Sequence, residues 1–412
     1  MGISFAQMSS TLLRQATIVH GAATEGPVDV RVVDGVITEV GSPLEHAGAD
    51  IVDLDGALLL PAAVEPHAHL DKAFLAERVE NPTGDLVGAI DAMLAMSDRI
   101  TFDDIVERAE RAARLMAANG YVAVRTHADT IEFGGLRNVE ALAEVRRRVA
   151  DVIDVEIVAL TGTPVTGPAG AQHRALLRDA IAAGADLVGG CPHLEDHADD
   201  QNGIERATDL LLETAADAGV GVDLHTDETL DPAVMGLEYL ANQVLAGFAH
   251  RVTASHCVSL GQRDAVEQQR IAELVAAAGI GVVTLPHTNL WLGGRNQQPV
   301  PRGLTAVDAL RRAGVAVAAG ADNLQDPFNP MGRACPFETA SLMVLTAHDL
   351  PHIAWDAVST ASRRVLGLAG GTIEPGAPAD LLAVDVASLR QAIAEGPARR
   401  RVFRRGNEVE VA

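Results

Sequence analysis

The chain has 412 residues, of which 48% are hydrophobic and 21% charged, so it can bury a large core and is not expected to be disordered. Its 56 acidic residues outnumber 32 basic ones, and the formal net charge of −24 argues against nucleic acid and membranes as partners. No apolar run has the length of a signal peptide or a membrane span, and the three cysteines form no CxxC motif. These features predict a cytoplasmic protein.

Residues 1–56 read as short strands separated by turns, and residues 369–412 return to that pattern, so we expect the two ends to form one small β-sandwich. Residues 57–368 alternate short apolar runs with amphipathic helical stretches, which is typical of βα units around a parallel sheet. Eight strand candidates can be counted, at 58–70, 121–129, 155–162, 185–193, 219–227, 251–257, 279–287 and 314–322. The predicted fold is therefore α/β: a (β/α)₈ TIM-type barrel with a small β-sandwich domain.

Histidines gather at the carboxyl ends of these predicted strands. Half of the fourteen histidines lie there, namely His67, His69, His127, His193, His225, His256 and His287, and Asp322 closes the eighth strand. Barrel enzymes build their active sites on this face, whereas the opposite face carries stability. The pattern therefore predicts a catalytic site at the mouth of the barrel.

Four of these residues suit a metal ion. His67 and His69 stand two apart on a strand, so both imidazoles point to the same side. His225 supplies a third nitrogen, and Asp322 faces the first strand because a barrel closes its last strand onto its first. Imidazole favours zinc or ferrous iron. No strand end carries a lysine that could bridge two metals, so we expect one divalent metal ion per chain, zinc or ferrous iron.

Three further residues could act on a substrate. Glu228 follows His225 in the HTDE motif, where a carboxylate can shuttle a proton. His256 could ligate the metal or hydrogen-bond the attacking hydroxide. Lys72, next to the first ligand pair, is the single lysine of the chain, and the other basic residues are arginine. Because lysine and arginine differ in shape and hydration, we expect Lys72 to bind a substrate oxygen or carboxylate.

The motifs EPHAHLD, HTDE, RVTASH and GADN followed by DPF resemble those of the cytosine deaminase branch of the amidohydrolase superfamily, in order along about residues 11–412. The resemblance implies a mononuclear iron or zinc site with His67, His69, His225 and Asp322 as ligands. It also implies that Glu228 shuttles a proton to the ring nitrogen and that His256 orients the attacking hydroxide.

The chain departs from that branch where the substrate would bind. The best match to its pyrimidine-reading glutamine is Gly162, a second aspartate is replaced by Asn323, and a tryptophan is replaced by Phe328. Lys72 and the Asp322–Asn323 pair instead resemble relatives that remove alkylamines from hydroxylated triazine rings. The departures therefore point away from cytosine itself.

Specificity is expected from three long loops, Ala73–Asp103, Thr288–Gly303 and Leu324–Phe337. Trp291 and Phe328 are candidate faces for stacking a planar ring. His193 is a further candidate for binding the substrate, with Lys72, Gly162 and Asn323.

The predicted function is metal-dependent cleavage of a non-peptide C–N bond, most simply hydrolytic deamination of a small aminated nitrogen heterocycle by a metal-activated hydroxide. Release of an alkylamine and opening of a cyclic amide are alternatives on the same site. A binuclear phosphotriesterase-like hydrolase and a non-catalytic metal-binding scaffold are more remote ones. We also expect a homo-oligomer, which enzymes of this build commonly form.

Overall fold

A computed structural model describes residues 10–195 and 202–410. Its strands are β1 (Ser10–His20), β2 (Ala23–Val33), β3 (Val36–Gly41), β4 (Asp50–Asp53), β5 (Leu58–Pro61), β6 (Ala63–Ala68), β7 (Tyr121–Thr130), β8 (Asp154–Thr161), β9 (Leu187–Gly189), β10 (Val222–Thr226), β11 (Val252–His256), β12 (Gly281–Thr284), β13 (Val317–Ala319), β14 (Leu381–Val384), β15 (Arg400–Arg404) and β16 (Asn407–Glu408).

The helices are α1 (Leu86–Met96), α2 (Phe102–Ala118), α3 (Arg137–Arg148), α4 (Ala171–Ala182), α5 (Gly203–Ala218), α6 (Gly236–Ala246), α7 (Val258–Gly261), α8 (Ala265–Ala277), α9 (Pro286–Leu292), α10 (Val307–Arg312), α11 (Pro336–Thr346), α12 (Pro351–Val358), α13 (Thr360–Leu366) and α14 (Leu389–Glu395). Within the described ranges, no helix is both long and apolar enough to cross a membrane.

Strands β6 to β13 form one parallel sheet in chain order, with a helix or helices after almost every strand. The ends of this sheet meet at a parallel bridge between Ala68 and Asp322. There His69 N donates to Asp322 O at 3.2 Å, and Asp322 N donates to His67 O at 3.0 Å. The predicted TIM-type barrel is confirmed, and its closure brings the first and last strands into contact.

The predicted strand at 58–70 is two strands in the structure. Leu58–Pro61 pairs with β1 and β14, outside the barrel, and the barrel strand begins only at Ala63. Side-chain alternation explains the continuous apolar run, because Leu58 and Leu60 pack in the barrel core whereas Leu59 packs in the core of the outer sheet. The domain boundary at residue 57 stays a prediction.

The two chain ends meet in one eight-stranded, mostly antiparallel sheet of order β16-β15-β14-β5-β1-β2-β3, with β4 beside β1. It has its own core, which includes Ile18, Val30, Leu59, Leu381 and Phe403. The small β domain predicted from both ends is thereby confirmed, in the form of a single curled sheet. It positions the start of β6, and hence the two histidines that follow.

Candidate active site

Four side chains converge at the carboxyl ends of the barrel strands. His69 Nε2 lies 3.2 Å from Asp322 Oδ1 and 3.3 Å from His225 Nε2. His67 Nε2 lies 3.5 Å from the same Asp322 oxygen. Ligand atoms of His67, His69 and His225 all lie within 4.8 Å of one another, which is close enough for one cation. The geometry therefore brings together the four groups predicted as ligands.

The chemistry of these groups fits a divalent cation. His67 Nε2 and both carboxylate oxygens of Asp322 are buried and have no hydrogen-bond partner among the described residues. Burial, reinforced by neighbouring histidines, lowers the pKa of His67 and His225 well below the ordinary value, so both imidazoles are neutral. Neutral imidazole nitrogens and a carboxylate are the donors that zinc and ferrous iron prefer.

A chain of buried polar contacts fixes the orientation of His67. Its Nδ1 lies 2.9 Å from Ser255 Oγ, which donates to Asp223 Oδ1 at 2.8 Å. The other Asp223 oxygen accepts a 2.8 Å hydrogen bond from the fully buried Arg125. Because Ser255 donates to Asp223, it must accept from His67 Nδ1–H. The lone pair of His67 Nε2 is thereby directed to the cluster.

His256 and Glu228 lie together beside the cluster. Asn289 Nδ2 is 3.0 Å from His256 Nδ1, and Glu228 Oε1 is 3.3 Å from the same nitrogen. Since the amide of Asn289 donates to Nδ1, the proton of His256 is on Nε2, which lies 4.0 Å from Asp322 Oδ2. Burial and the charge of Asp322 raise the pKa of Glu228 well above its ordinary value.

Two of these residues adopt left-handed backbone conformations. The φ angle is 64° at Asp322 and 70° at His256, although neither residue is glycine. Such conformations cost about 1–3 kcal/mol each and persist where the surrounding structure imposes them. His256 is the last residue of β11 and Asp322 lies three residues beyond β13, and both residues line the cavity.

A cavity of about 310 Å³ opens above the cluster. Most residues predicted for the site line it, namely His69, Lys72, Gly162, His225, Glu228, His256, Asp322, Asn323 and Phe328. His67 is fully buried and lies beneath the cavity floor. A ligand in this cavity would therefore contact both the proposed metal ligands and the proposed proton carriers.

Lys72 is held by acidic neighbours inside this cavity. Its Nζ lies 2.6 Å from Asp129 Oδ1, 3.5 Å from Asp71 Oδ1 and 3.3 Å from His69 Nδ1. Burial disfavours the charged ammonium, but attraction to Asp129 and Asp71 outweighs it and raises the pKa of Lys72. Lys72 is therefore protonated.

Two residues predicted to contact the substrate, His193 and Trp291, lie outside the cavity lining. His193 lies in a 3₁₀ turn (Pro192–Leu194) beyond the end of β9, where its Nδ1 contacts His225 O at 3.0 Å. The Trp291 side chain is 39% exposed, and the guanidinium of Arg295 lies 4.5 Å from its ring centroid. Neither residue is among the described residues that line the cavity, because both stand on helical turns that follow their strands.

Other lining residues were missed by sequence reasoning. One face of α1 contributes Leu86, Ile90, Met93 and Leu94, and the segment after β7 contributes Ile131, Glu132, Phe133, Gly134, Arg137 and Asn138. The helical spacing of the first group was a usable signal inside the predicted long loop. The segment after β7 is short, so it was not among the long loops predicted to line the site. Asp129 is the last residue of the strand predicted at 121–129, two positions after His127, so its position pointed to the barrel mouth.

A model of the amidohydrolase family matches residues 75–407. The chain therefore belongs to the amidohydrolase family, and it is a metal-dependent hydrolase acting on C–N bonds. The predicted deaminase-like branch is confirmed by the relatives. The pterin deaminase of Rhizobium rhizogenes is 33% identical over 421 residues, covering 98% of this chain and 93% of that protein.

Two solved structures cover nearly the whole chain. The 5-methylcytosine deaminase of Klebsiella pneumoniae, liganded with 5-fluorocytosine, is 30% identical with a TM-score of 0.87, and the match covers 97% of each chain. The N-isopropylammelide isopropylaminohydrolase of Burkholderia multivorans is 28% identical with a TM-score of 0.82, covering 98% of each chain. The likeness to triazine-ring hydrolases is thereby confirmed.

Proposed function

We propose that the chain hydrolyses the exocyclic C–N bond of an aminated nitrogen heterocycle and releases ammonia. The observation that carries this proposal is the cavity that Glu228 and His256 line together with residues of the His–Asp cluster. Relatives at 33% and 30% identity are named as deaminases of a pterin and of 5-methylcytosine. Opening of a cyclic amide is not favoured by these relatives.

One divalent ion, zinc or ferrous iron, would be held by His67, His69, His225 and Asp322. A second ion between His67, His127 and Asp223 is disfavoured, although their ligand atoms also cluster. The guanidinium of Arg125 already lies 2.8 Å from Asp223 Oδ2 and neutralises that carboxylate. When bound, the ion supplies Lewis acidity that lowers the pKa of water towards neutrality.

The side chains divide the proton transfers between them. Asp322 accepts the proton of the attacking water. Glu228, kept protonated by burial, donates a proton to the ring nitrogen next to the attacked carbon. His256 donates its Nε2–H to the oxygen that develops negative charge. Water adds to the carbon, and the C–N bond then breaks as the amine leaves with the proton that Asp322 accepted. The added hydroxyl becomes a carbonyl and returns a proton to Glu228.

Release of an alkylamine is a second candidate, favoured by one observation. Much of the cavity wall is apolar, and Leu86, Ile90 and Met93 of α1 and Phe133 after β7 are among its residues. Such a wall accommodates an N-alkyl group. One of the similar structures is named as an isopropylaminohydrolase. Primary and N-isopropyl amines on the same ring discriminate the two candidates.

The test is the Glu228→Gln variant with metal-loaded protein. Aminated pyrimidines, pterins and triazines are screened for amine release by the wild-type protein, and kcat is then measured for both proteins. We expect kcat to fall by about 10²–10⁴-fold because proton donation is lost, with the metal content unchanged. Glu107→Gln, the same change at an exposed residue of α2, is the control. Loss of metal from the Glu228 variant, or undiminished turnover, contradicts the assigned role.

The cytoplasmic location and the homo-oligomer remain part of this proposal. Cys191, Cys257 and Cys335 are all free, which agrees with a reducing compartment. Symmetric assemblies are common among soluble enzymes, and light scattering on the purified protein measures the assembly directly.

A further inference from the structure

Lys72 lies in the cavity with two acidic neighbours, Asp129 and Asp71. Only 5% of the Lys72 side chain is exposed, yet it lines the cavity beside His69. Its ammonium faces two carboxylates, Asp129 at 2.6 Å and Asp71 at 3.5 Å. The three groups together carry a net charge of about −1. A substrate carboxylate would be repelled there, whereas a neutral oxygen would not.

Asp71 is fixed by the protein and is not available to a ligand. Its Oδ2 accepts hydrogen bonds from Asp129 N at 3.0 Å and from Asn138 Nδ2 at 2.8 Å. Asp129 differs, because its side chain is 20% exposed and one oxygen, Oδ1, receives the Lys72 bond. No hydrogen bond to Asp129 Oδ2 is found among the described residues. This oxygen is therefore available as an acceptor.

Lys72 also keeps a donor for a ligand. An ammonium has three N–H groups, and Asp129 accepts one of them, whereas the 3.5 Å contact with Asp71 is an ion pair without a hydrogen bond. His69 directs Nε2 to the cluster, so as a neutral ligand it carries its proton on Nδ1. A protonated Nδ1 cannot accept from Lys72, although the two nitrogens are 3.3 Å apart. At least one N–H of Lys72 is therefore left for a ligand.

We infer that Lys72 and Asp129 together recognise a neutral lactam edge of the substrate ring. Lys72 Nζ donates to the ring carbonyl oxygen, and Asp129 Oδ2 accepts the adjacent ring N–H. The inference rests on the proposed deamination of a heterocycle and narrows its substrate to oxo-substituted rings without a carboxylate on that edge. Gly162, just after the third barrel strand β8, cannot take this role, because it has no side chain and a Cβ there would meet His173 Nε2 at 2.9 Å.

The experiment compares ring analogues that differ only at this edge. Cytosine carries N–H beside C=O, 1-methylcytosine lacks the N–H, and 4-aminopyrimidine lacks both groups. Pterin and 2-aminopteridine form an equivalent bicyclic pair. The kcat and KM for ammonia release and the Kd from calorimetry are measured for the wild-type protein and the Asp129→Asn and Lys72→Met variants. Asp151→Asn, at an exposed position outside the cavity, is the control.

Of cytosine and pterin, the one that binds the wild-type protein more tightly is the lactam probe. We expect its Kd to be about 10- to 100-fold lower than that of its analogue, which is the effect of one hydrogen bond to a charged group. Asp129→Asn should raise KM and Kd for the probe with the N–H by a similar factor, and barely change them for the analogue without it. Lys72→Met should remove the preference for the carbonyl. The Asp151 variant should match the wild-type protein.

The inference is overturned if the wild-type protein binds cytosine and pterin no more tightly than 4-aminopyrimidine and 2-aminopteridine, which lack the carbonyl. An equal loss on all probes in the Asp129 and Lys72 variants also overturns it, as does a loss of metal, which would make the pair a support for His69. If the lactam probes bind more tightly but release no ammonia, the inference stands and the proposed deamination fails. If no probe binds, both are overturned.

Discussion

Two imidazoles at the site, those of His67 and His256, are oriented through the ring nitrogen that faces away from the cluster. Ser255 holds His67, and Asn289 holds His256. Strand periodicity and the two-residue spacing were enough to predict that His67 and His69 point the same way. The Ser255–Asp223–Arg125 chain could not be predicted, because its members come from three strands and only closure of the barrel brings them together.

Ser255→Ala should weaken metal binding more than it weakens the fold. Without the hydroxyl, His67 loses the acceptor that fixes its tautomer, and such changes typically cost 10–100-fold in metal affinity. Competition with a chelator, followed by metal analysis, measures this loss.

Ser259→Ala is the matched control for that variant. Ser259 is also buried, and its hydroxyl donates to Val234 O at 3.0 Å, so a hydrogen bond of about 1 kcal/mol is again lost. It contacts no histidine of the cluster. Equal metal affinities in the two variants would mean that Ser255 does not orient His67.

At the scale of elements, the covering helix α1 is attached to the barrel at both ends. Arg137 Nη2 donates to the carbonyl of Ser97, just after the helix, at 3.0 Å. Arg295 Nε donates to the carbonyl of Gly84, just before the helix. Arg295 also lies over the ring of Trp291, so this tryptophan supports the attachment. The loop length predicted that this segment would cover the site, but the long-range arginine contacts left no local sequence signal.

Arg295→Ala should loosen α1 while leaving the cluster intact. The variant loses the contacts to Gly84 and Trp291, and a loss of about 1.4 kcal/mol corresponds to tenfold faster opening. Hydrogen exchange of the amides of Leu86–Met96 measures this, and we expect a higher KM. Arg312→Ala, which removes an exposed ion pair with Asp308, is the control. Unchanged exchange would show that Arg295 does not hold the helix.

At the scale of the whole molecule, the outer sheet and the barrel share their packing. Leu382 of β14 belongs to the barrel core, whereas its neighbours Leu381 and Ala383 belong to the core of the outer sheet. The alternating pattern of the chain ends predicted strands and the joining of both ends. It could not predict which strands would meet, because pairing of β5 with β14 joins residues far apart in the chain.

Leu382→Ala should destabilise both parts together. A buried leucine truncated to alanine costs about 2–5 kcal/mol, and this side chain packs against Gly120, where a Cβ would meet it at 2.8 Å. Denaturant unfolding followed by circular dichroism should show one transition at lower denaturant. Leu345→Ala, at a 67% exposed leucine, is the control. A separate early transition would show that the two parts unfold independently.

The single lysine makes the folded enzyme resistant to reagents for side-chain amines. The ε-amine of Lys72 is the only one in the chain, and it is buried, protonated and paired with Asp129, so reagents that need a neutral and accessible side-chain amine would leave it unmodified. Opening of the cavity or unfolding of the chain would expose this amine. The rate of its labelling would therefore report opening of the site without a chromogenic substrate.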